Sequence, residues 1–144
     1  MIEPAANDDP RVLELMSEYG AEIVSRAAWM AEEVAAWTHT REEFVLALCA
    51  DGSVAGCLAL RRLDDVTGEV RRMFVRPSAR RQGVARRLLE AIEEEARRLG
   101  MTRLVLDTME ELVEARALYP TAGYTPIEAY SREAGAAYWF EKLL

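Results

Sequence analysis

Apolar residues recur at helical spacing near the start of the chain, at Val12, Leu15, Met16 and Tyr19, then Ile23, Val24, Trp29, Met30, Val34 and Trp37. This pattern predicts two helices within residues 8–38. Asp8 or Asp9 ahead of Pro10 supplies a start signal, and a short strand is expected over residues 2–4. From residue 44 the period changes. Residues 44–50 read as a strand, Asp51-Gly52 as a hairpin turn, and residues 54–63 as the returning strand. A second turn over 64–68 leads into a strand over 69–75, completing an antiparallel meander. Helical spacing returns at Val84, Leu88, Leu89, Ile92 and Ala96, predicting a helix over 84–99 ended by Gly100 in a left-handed cap. Residues 103–107, RLVLD, are apolar enough for an interior strand covered on both faces. Strand, crossover helix and strand make a βαβ unit, so the strands over 69–75 and 103–107 should run parallel. A shorter helix over 112–119, closed by Pro120 and Gly123, precedes a last pair of strands over 124–127 and 137–143. The expected fold is a single α/β (α+β) domain over residues 1–144. It has a mixed, mostly antiparallel central sheet, one parallel βαβ unit and flanking helices.

The junction between the third strand and the long helix carries the clearest chemistry. The helix begins near Val84 without Ser, Thr, Asp or Asn to cap it, which leaves backbone N–H groups without partners. Arg80, Arg81, Arg86 and Arg87 crowd its positive dipole end, an unfavourable arrangement unless an anion sits there. Gly83 and Ala85 are small enough to let that anion approach the backbone. The segment reads as a phosphate or pyrophosphate site at a helix N-terminus.

Charge sharpens this reading. The chain carries a net −7, yet residues 71–87 hold seven Arg and no acid. Setting those seven aside from the 18 basic residues leaves 11 against 25 acids, so the remainder carries −14. A local basic site on an acidic body suits a small anionic ligand beside a cationic partner, and suits a nucleic acid poorly. Arg87, Arg97 and Arg98 read as a solvated helix face. At 144 residues with 51 % apolar content, the composition is that of a globular domain. No apolar run approaches the ~20 residues of a membrane span, and the acidic N-terminus is unlike a signal peptide, so a cytoplasmic protein with no membrane partner is expected. Cys49 and Cys57 read as reduced core residues, and a lone His39 gives no metal cluster.

The order of elements and two motifs resemble the GCN5-related N-acetyltransferase (GNAT) superfamily over roughly residues 44–144. The family's Arg/Gln-x-x-Gly-x-Gly/Ala signature is matched by Arg80-Arg81-Gln82-Gly83-Val84-Ala85, between a strand and an amphipathic helix. A second block is matched by residues 115–124, ARALYPTAGY. The resemblance implies a GNAT-like fold and direct acetyl transfer from acetyl-CoA to an amine in a ternary complex, with no metal. It further implies that the backbone of Met73, Phe74 and Val75 pairs with the pantetheine arm. The amides of Arg81 to Arg86 would hold the pyrophosphate. Many members place an Asn seven positions before the second block's tyrosine; here Leu112 stands there, and that contact is not carried over. Dimers are common among the proteins the chain resembles, so a homodimer is compatible with it.

By the same resemblance Glu69 is the general base, since an alkylamine must lose its proton before it attacks a thioester. The structural alternative is a strand-end ion pair with Arg71 or Arg61. Tyr119 would protonate the departing thiolate; alternatively it is a core tyrosine contributing area. Tyr19, Trp29, Trp37, Tyr130 and Tyr138 are either acceptor-pocket or packing residues. A catalytically silent acyl-CoA-binding or regulatory domain is the functional alternative to an enzyme.

Overall fold

The computed structural model describes residues 2–36, 44–51 and 53–144; Trp37, His39 and the hairpin residue Gly52 lie outside them. Strand β1 (Ile2–Ala5) leads to helix α1 (Pro10–Arg26), which Asp9 caps by accepting a hydrogen bond from the Arg11 amide. A 3-10 turn (Ala28–Met30) and a short helix α2 (Ala31–Ala35) follow. Then come β2 (Phe44–Asp51), β3 (Ser53–Arg62), β4 (Thr67–Val75), α3 (Val84–Arg98), β5 (Arg103–Met109), α4 (Val113–Thr121), β6 (Thr125–Ile127) and β7 (Ala136–Leu143). One sheet in the order β1-β2-β3-β4-β5-β7-β6 holds all seven strands. Every neighbouring pair is antiparallel except β4 and β5, the two strands expected to be parallel.

Strand β3 is buried on both faces. Leu58 and Leu60 join the core beneath α3 and α4, with Val84, Leu88, Leu89, Ile92, Leu104 and Leu106. Cys57 and Ala59 point the other way, against Val12, Leu15 and Met16 of α1. This alternation is the period-2 rule of a strand covered by helices on both sides. Cys57 is fully buried and reduced, its thiol pushed up to about 12 by burial, as suits an inert core residue.

Pro120 does not stop α4 as expected from the sequence; it lies inside the last turn. In that turn the Ala122 amide donates to both the Leu118 and Tyr119 carbonyls and the Gly123 amide to the Pro120 carbonyl, so the helix continues through Pro120. Gly123 then turns the chain out at φ +93°.

On the α3 side of the sheet, Glu93 is buried to 5 % exposure. Its carboxylate accepts from Lys142 Nζ at 2.8 Å and from the Tyr124 hydroxyl at 3.1 Å, joining α3 to β7 and the entry to β6. Removing one partner of a buried pair leaves an uncompensated charge, at a cost of about 3–5 kcal/mol. Lys142→Met is expected to destabilise the fold by about 3 kcal/mol in urea unfolding. A change below about 1 kcal/mol would mean that water compensates Glu93.

Candidate functional site

Strands β4 and β5 pair for three residues only, Thr67 to Glu69 against Arg103 to Val105, and then part. On the other side of β4 the pairing to β3 jumps from Ala59↔Arg71 to Cys57↔Phe74, so Arg72 and Met73 together oppose Leu58. Arg72 takes φ +54°, a left-handed conformation that a non-glycine residue adopts at a cost. This β-bulge bends β4 away from β5 and opens the sheet.

Two cavities fill the opening, sharing Tyr19, Met73, Leu112 and Ala115 as walls. The larger, about 610 Å³, runs from β4 to the start of α3. Nine of the ten residues expected to bind a cofactor line it: Met73, Phe74, Val75, Arg80, Arg81, Gly83, Val84, Ala85 and Arg86. The tenth, Gln82, is exposed outside it and donates to the Ser78 carbonyl at 3.4 Å. Helix α3 has no side-chain cap. Its first intrahelical bond runs from the Arg87 amide to the Gly83 carbonyl, leaving the amides of residues 84–86 free of helical acceptors. Arg81 (φ +63°) and Gly83 (φ +77°) are left-handed, curling the loop into a concavity of N–H groups of the kind that holds anions. A Cβ built on Gly83 meets nothing within 4 Å, so the space above the amides is open. These features fit a diphosphate.

The arginine cluster behaves differently from the expectation of a basic patch. Arg76 and Arg80 are already neutralised: Arg76 binds Glu18 at 2.6 Å and Arg80 binds Glu22 at 2.6 Å. Arg80 Nε also donates to the Val75 carbonyl, tying the loop back to β4. Glu14, Glu18 and Glu22 form an i,i+4 row on α1, and this row meets the arginines from 58 positions away in sequence. Arg86 donates to Thr121 of α4. The candidate anion site is therefore built from backbone amides more than from guanidinium groups. Arg87, Arg97 and Arg98 are exposed, as expected.

The smaller cavity, about 130 Å³, lies at the vertex of the splay and brings both candidate catalytic residues together. Glu69 is buried to 3 % exposure, so it is not a solvent-facing strand end. It does make the ion pair that reading expected, with Arg61 at 3.0 Å and Arg71 at 3.5 Å. Its other oxygen accepts from the Tyr130 hydroxyl at 2.8 Å. Burial and the Glu69 charge raise the Tyr130 phenol well above its ordinary value, so it stays a donor. Tyr119 is buried and packs edge-on against Tyr124 while lining this cavity. Burial likewise raises its phenol, which keeps its proton at neutral pH.

Sequence reasoning missed Asp107 and Ser131. Asp107 lies within β5, two residues past the point where β4 leaves it, and a position at such an opening in an α/β sheet is a signal for a ligand-facing group. Its Oδ2 accepts from Ser131 Oγ at 2.9 Å, and Ser131 Oγ accepts from Trp139 Nε1 at 3.0 Å. Of the aromatic candidates, Tyr19 walls both cavities. Tyr138 stacks under Arg116 at 4.1 Å, and Trp29 is 62 % exposed. Among the described residues no group of His, Cys, Asp and Glu is placed to hold a metal ion, and no helix is long and apolar enough to cross a membrane.

The sequence matches the acetyltransferase (GNAT) family over residues 10–124. A Klebsiella pneumoniae protein named for acyl-CoA N-acyltransferase chemistry superposes with a TM-score of 0.81 at 24% identity, covering 100% of this chain and 97% of that one. A GNAT-family acetyltransferase from Staphylococcus aureus gives 0.76 at 15% identity, with 99% of each chain covered. A GNAT-family acetyltransferase from Elizabethkingia anophelis, solved with acetyl-CoA bound, gives 0.68 at 17% identity, covering 100% and 97%. No curated protein sequence matches the chain.

Proposed function

The chain belongs to the GNAT family of acetyltransferases, and we propose that it moves an acetyl group from acetyl-CoA to a primary amine by direct attack in a ternary complex. The observation that carries this reading is the splay of β4 from β5. It joins an amide-lined anion concavity at Gly83 to a cavity holding Glu69 and Tyr119. The diphosphate of the donor would sit on the amides of Val84, Ala85 and Arg86, with Arg81 beside it. The pantetheine arm would take the free backbone edge of Met73, Phe74 and Val75 as an added strand. The thioester would then lie at the vertex, within reach of the Tyr119 hydroxyl.

Glu69 belongs to the path that draws the proton from the acceptor. Arg61, Arg71 and Tyr130 fix its carboxylate, so it acts on the amine through water or through its field rather than by moving. Tyr119 donates to the departing sulfur. The small cavity is lined by four carboxylates, Glu33, Glu69, Asp107 and Glu133, against two guanidiniums, Arg71 and Arg72. An acceptor that is cationic or neutral is favoured there over a polyanion.

Three outcomes test this reading. Gly83→Asp places a negative charge in open space above the amides, so CoA binding by calorimetry should be lost in a protein that remains folded. Unchanged affinity would put the diphosphate elsewhere. Tyr119→Phe keeps the packing against Tyr124 and Phe140 while deleting the donor. The kcat should fall roughly 10²-fold with CoA affinity retained. A lower melting temperature with full kcat would instead make Tyr119 a packing residue. Glu69→Gln should lower kcat/KM at neutral pH. Superimposable pH–rate profiles would remove Glu69 from the mechanism.

A further inference from the structure

The geometry points to Asp107 as a further catalytic residue, the carboxylate that takes the proton from the acceptor nitrogen, with Glu69 acting on it as a fixed charge. This rests on the acetyl-transfer reading and assigns roles within its site.

The two carboxylates face the same cavity but are bound very differently. Glu69 pairs with Val105 across the parallel ladder, and Asp107 lies two residues further along β5, on the same face. Both oxygens of Glu69 are taken, one by Arg61 and Arg71 and the other by Tyr130. Two guanidiniums and a phenol thus occupy the Glu69 carboxylate and fix it in place. Asp107 is half-buried, and among the described residues no cation lies within ion-pair distance of it. Its hydrogen bond within the protein comes from the neutral Ser131. Trp139 donates to Ser131, which turns the hydroxyl proton toward Asp107 and holds the carboxylate in place.

The charged groups around Asp107 reinforce the contrast. From β4 come Glu69, Arg71 and Arg72; from the loop before β7 come Tyr130 and Glu133. Tyr19 of α1, Glu33 of α2 and Tyr119 of α4 complete the surroundings. Burial raises the Asp107 carboxyl above its ordinary value; Ser131 lowers it; Glu69 and Glu133 raise it again, with Arg71 a smaller opposing influence. A raised carboxyl moves toward the pH at which a general base works best.

The step balances as follows. The acceptor ammonium gives one proton to Asp107 and becomes a neutral amine. The nitrogen lone pair forms the C–N bond at the thioester carbonyl, and the C–S bond breaks. The sulfur takes the Tyr119 proton, and Tyr119 recovers a proton from the new amide nitrogen through water. Asp107 then returns its proton to solvent.

Opposite shifts from two neighbours form the test. With one amine drawn from a panel of primary amines that the wild type acetylates, Asp107→Asn should lose kcat by roughly 10²-fold or more, with KM for acetyl-CoA unchanged. The acidic limb of its kcat/KM profile should also disappear. Glu69→Gln should move that limb to lower pH, and Ser131→Ala should move it to higher pH. A merely structural defect moves neither in this way. Carbon-13 NMR of aspartate-labelled protein gives a second readout without turnover. The carboxyl resonance absent from Asp107→Asn should titrate above the other aspartates and follow the same two shifts. Turnover in Asp107→Asn within about threefold of wild type, or a limb unmoved by either neighbour, overturns the assignment. So does an Asp107 carboxyl that titrates with the surface aspartates, including where Asp107→Asn fails to fold and the resonance is identified by its response to Ser131→Ala. Failure of the wild type to acetylate any amine counts against the acetyl-transfer reading instead.

Discussion

The parting of β4 from β5 after three paired residues is the constraint on which the rest of the molecule depends. A parallel sheet gains by continuing its ladder, so an open seam in its middle needs a cause. The cause is local: the bulge at Arg72 and Met73 shortens β4 relative to β3 and bends it. Gly56 makes that bend fit, because a Cβ there would stand 2.6 Å from the Phe74 carbonyl oxygen. The backbone groups released along the β4 edge face a cavity, where a ligand can satisfy them as the missing strand would. The seam thus opens a binding edge inside a closed domain without exposing an edge strand to other chains.

Charge then decides which side of the opening takes which group. The row of glutamates on α1 holds Arg76 and Arg80 and frees the α3 N-terminus to act through its amides. Had those guanidiniums faced the amides, the loop would bind any phosphate strongly but with little geometry. An amide concavity is fixed in shape and binds an anion by number and direction of N–H groups. At the opposite end the carboxylates collect near the vertex, so the two ends of the opening differ in charge. The −14 carried outside residues 71–87 is partly this arrangement seen in composition.

Much of this was legible in the sequence because its causes are local. The helices, the meander and the parallel pair follow from period, turn residues and the crossover rule. The uncapped start at Val84 needs only its neighbours to be recognised. What escaped was long-range. Arg80 looks like an anion ligand until α1 is folded across it, 58 residues away in sequence. Glu69 reads as a strand end because nothing nearby says that β5 and the loop before β7 will bury it. Pro120 reads as a helix stop, since the continuation of its turn depends on Gly123 and the core below. Asp107 was passed over as the last letter of RLVLD; β5 runs on to Met109, and Asp107 lies just past the point where β4 leaves it.

The small cavity is walled largely by segments outside the two sequence blocks at residues 80–85 and 115–124. Gly135, left-handed at φ +82°, lets the loop before β7 lie against Trp29, Met30 and Met109, where a Cβ would meet atoms at 3.3–3.4 Å. That contact brings Tyr130, Ser131 and Glu133 over the vertex. The larger cavity presents a backbone edge and a turn, which many sequences can supply. The small cavity is walled in part by side chains on a loop seated against the segment after α1. Substitutions in either segment change the walls of the small cavity while leaving the amide concavity and the β4 edge untouched. The two cavities are distinct because the sheet itself divides them at the point where β4 and β5 part.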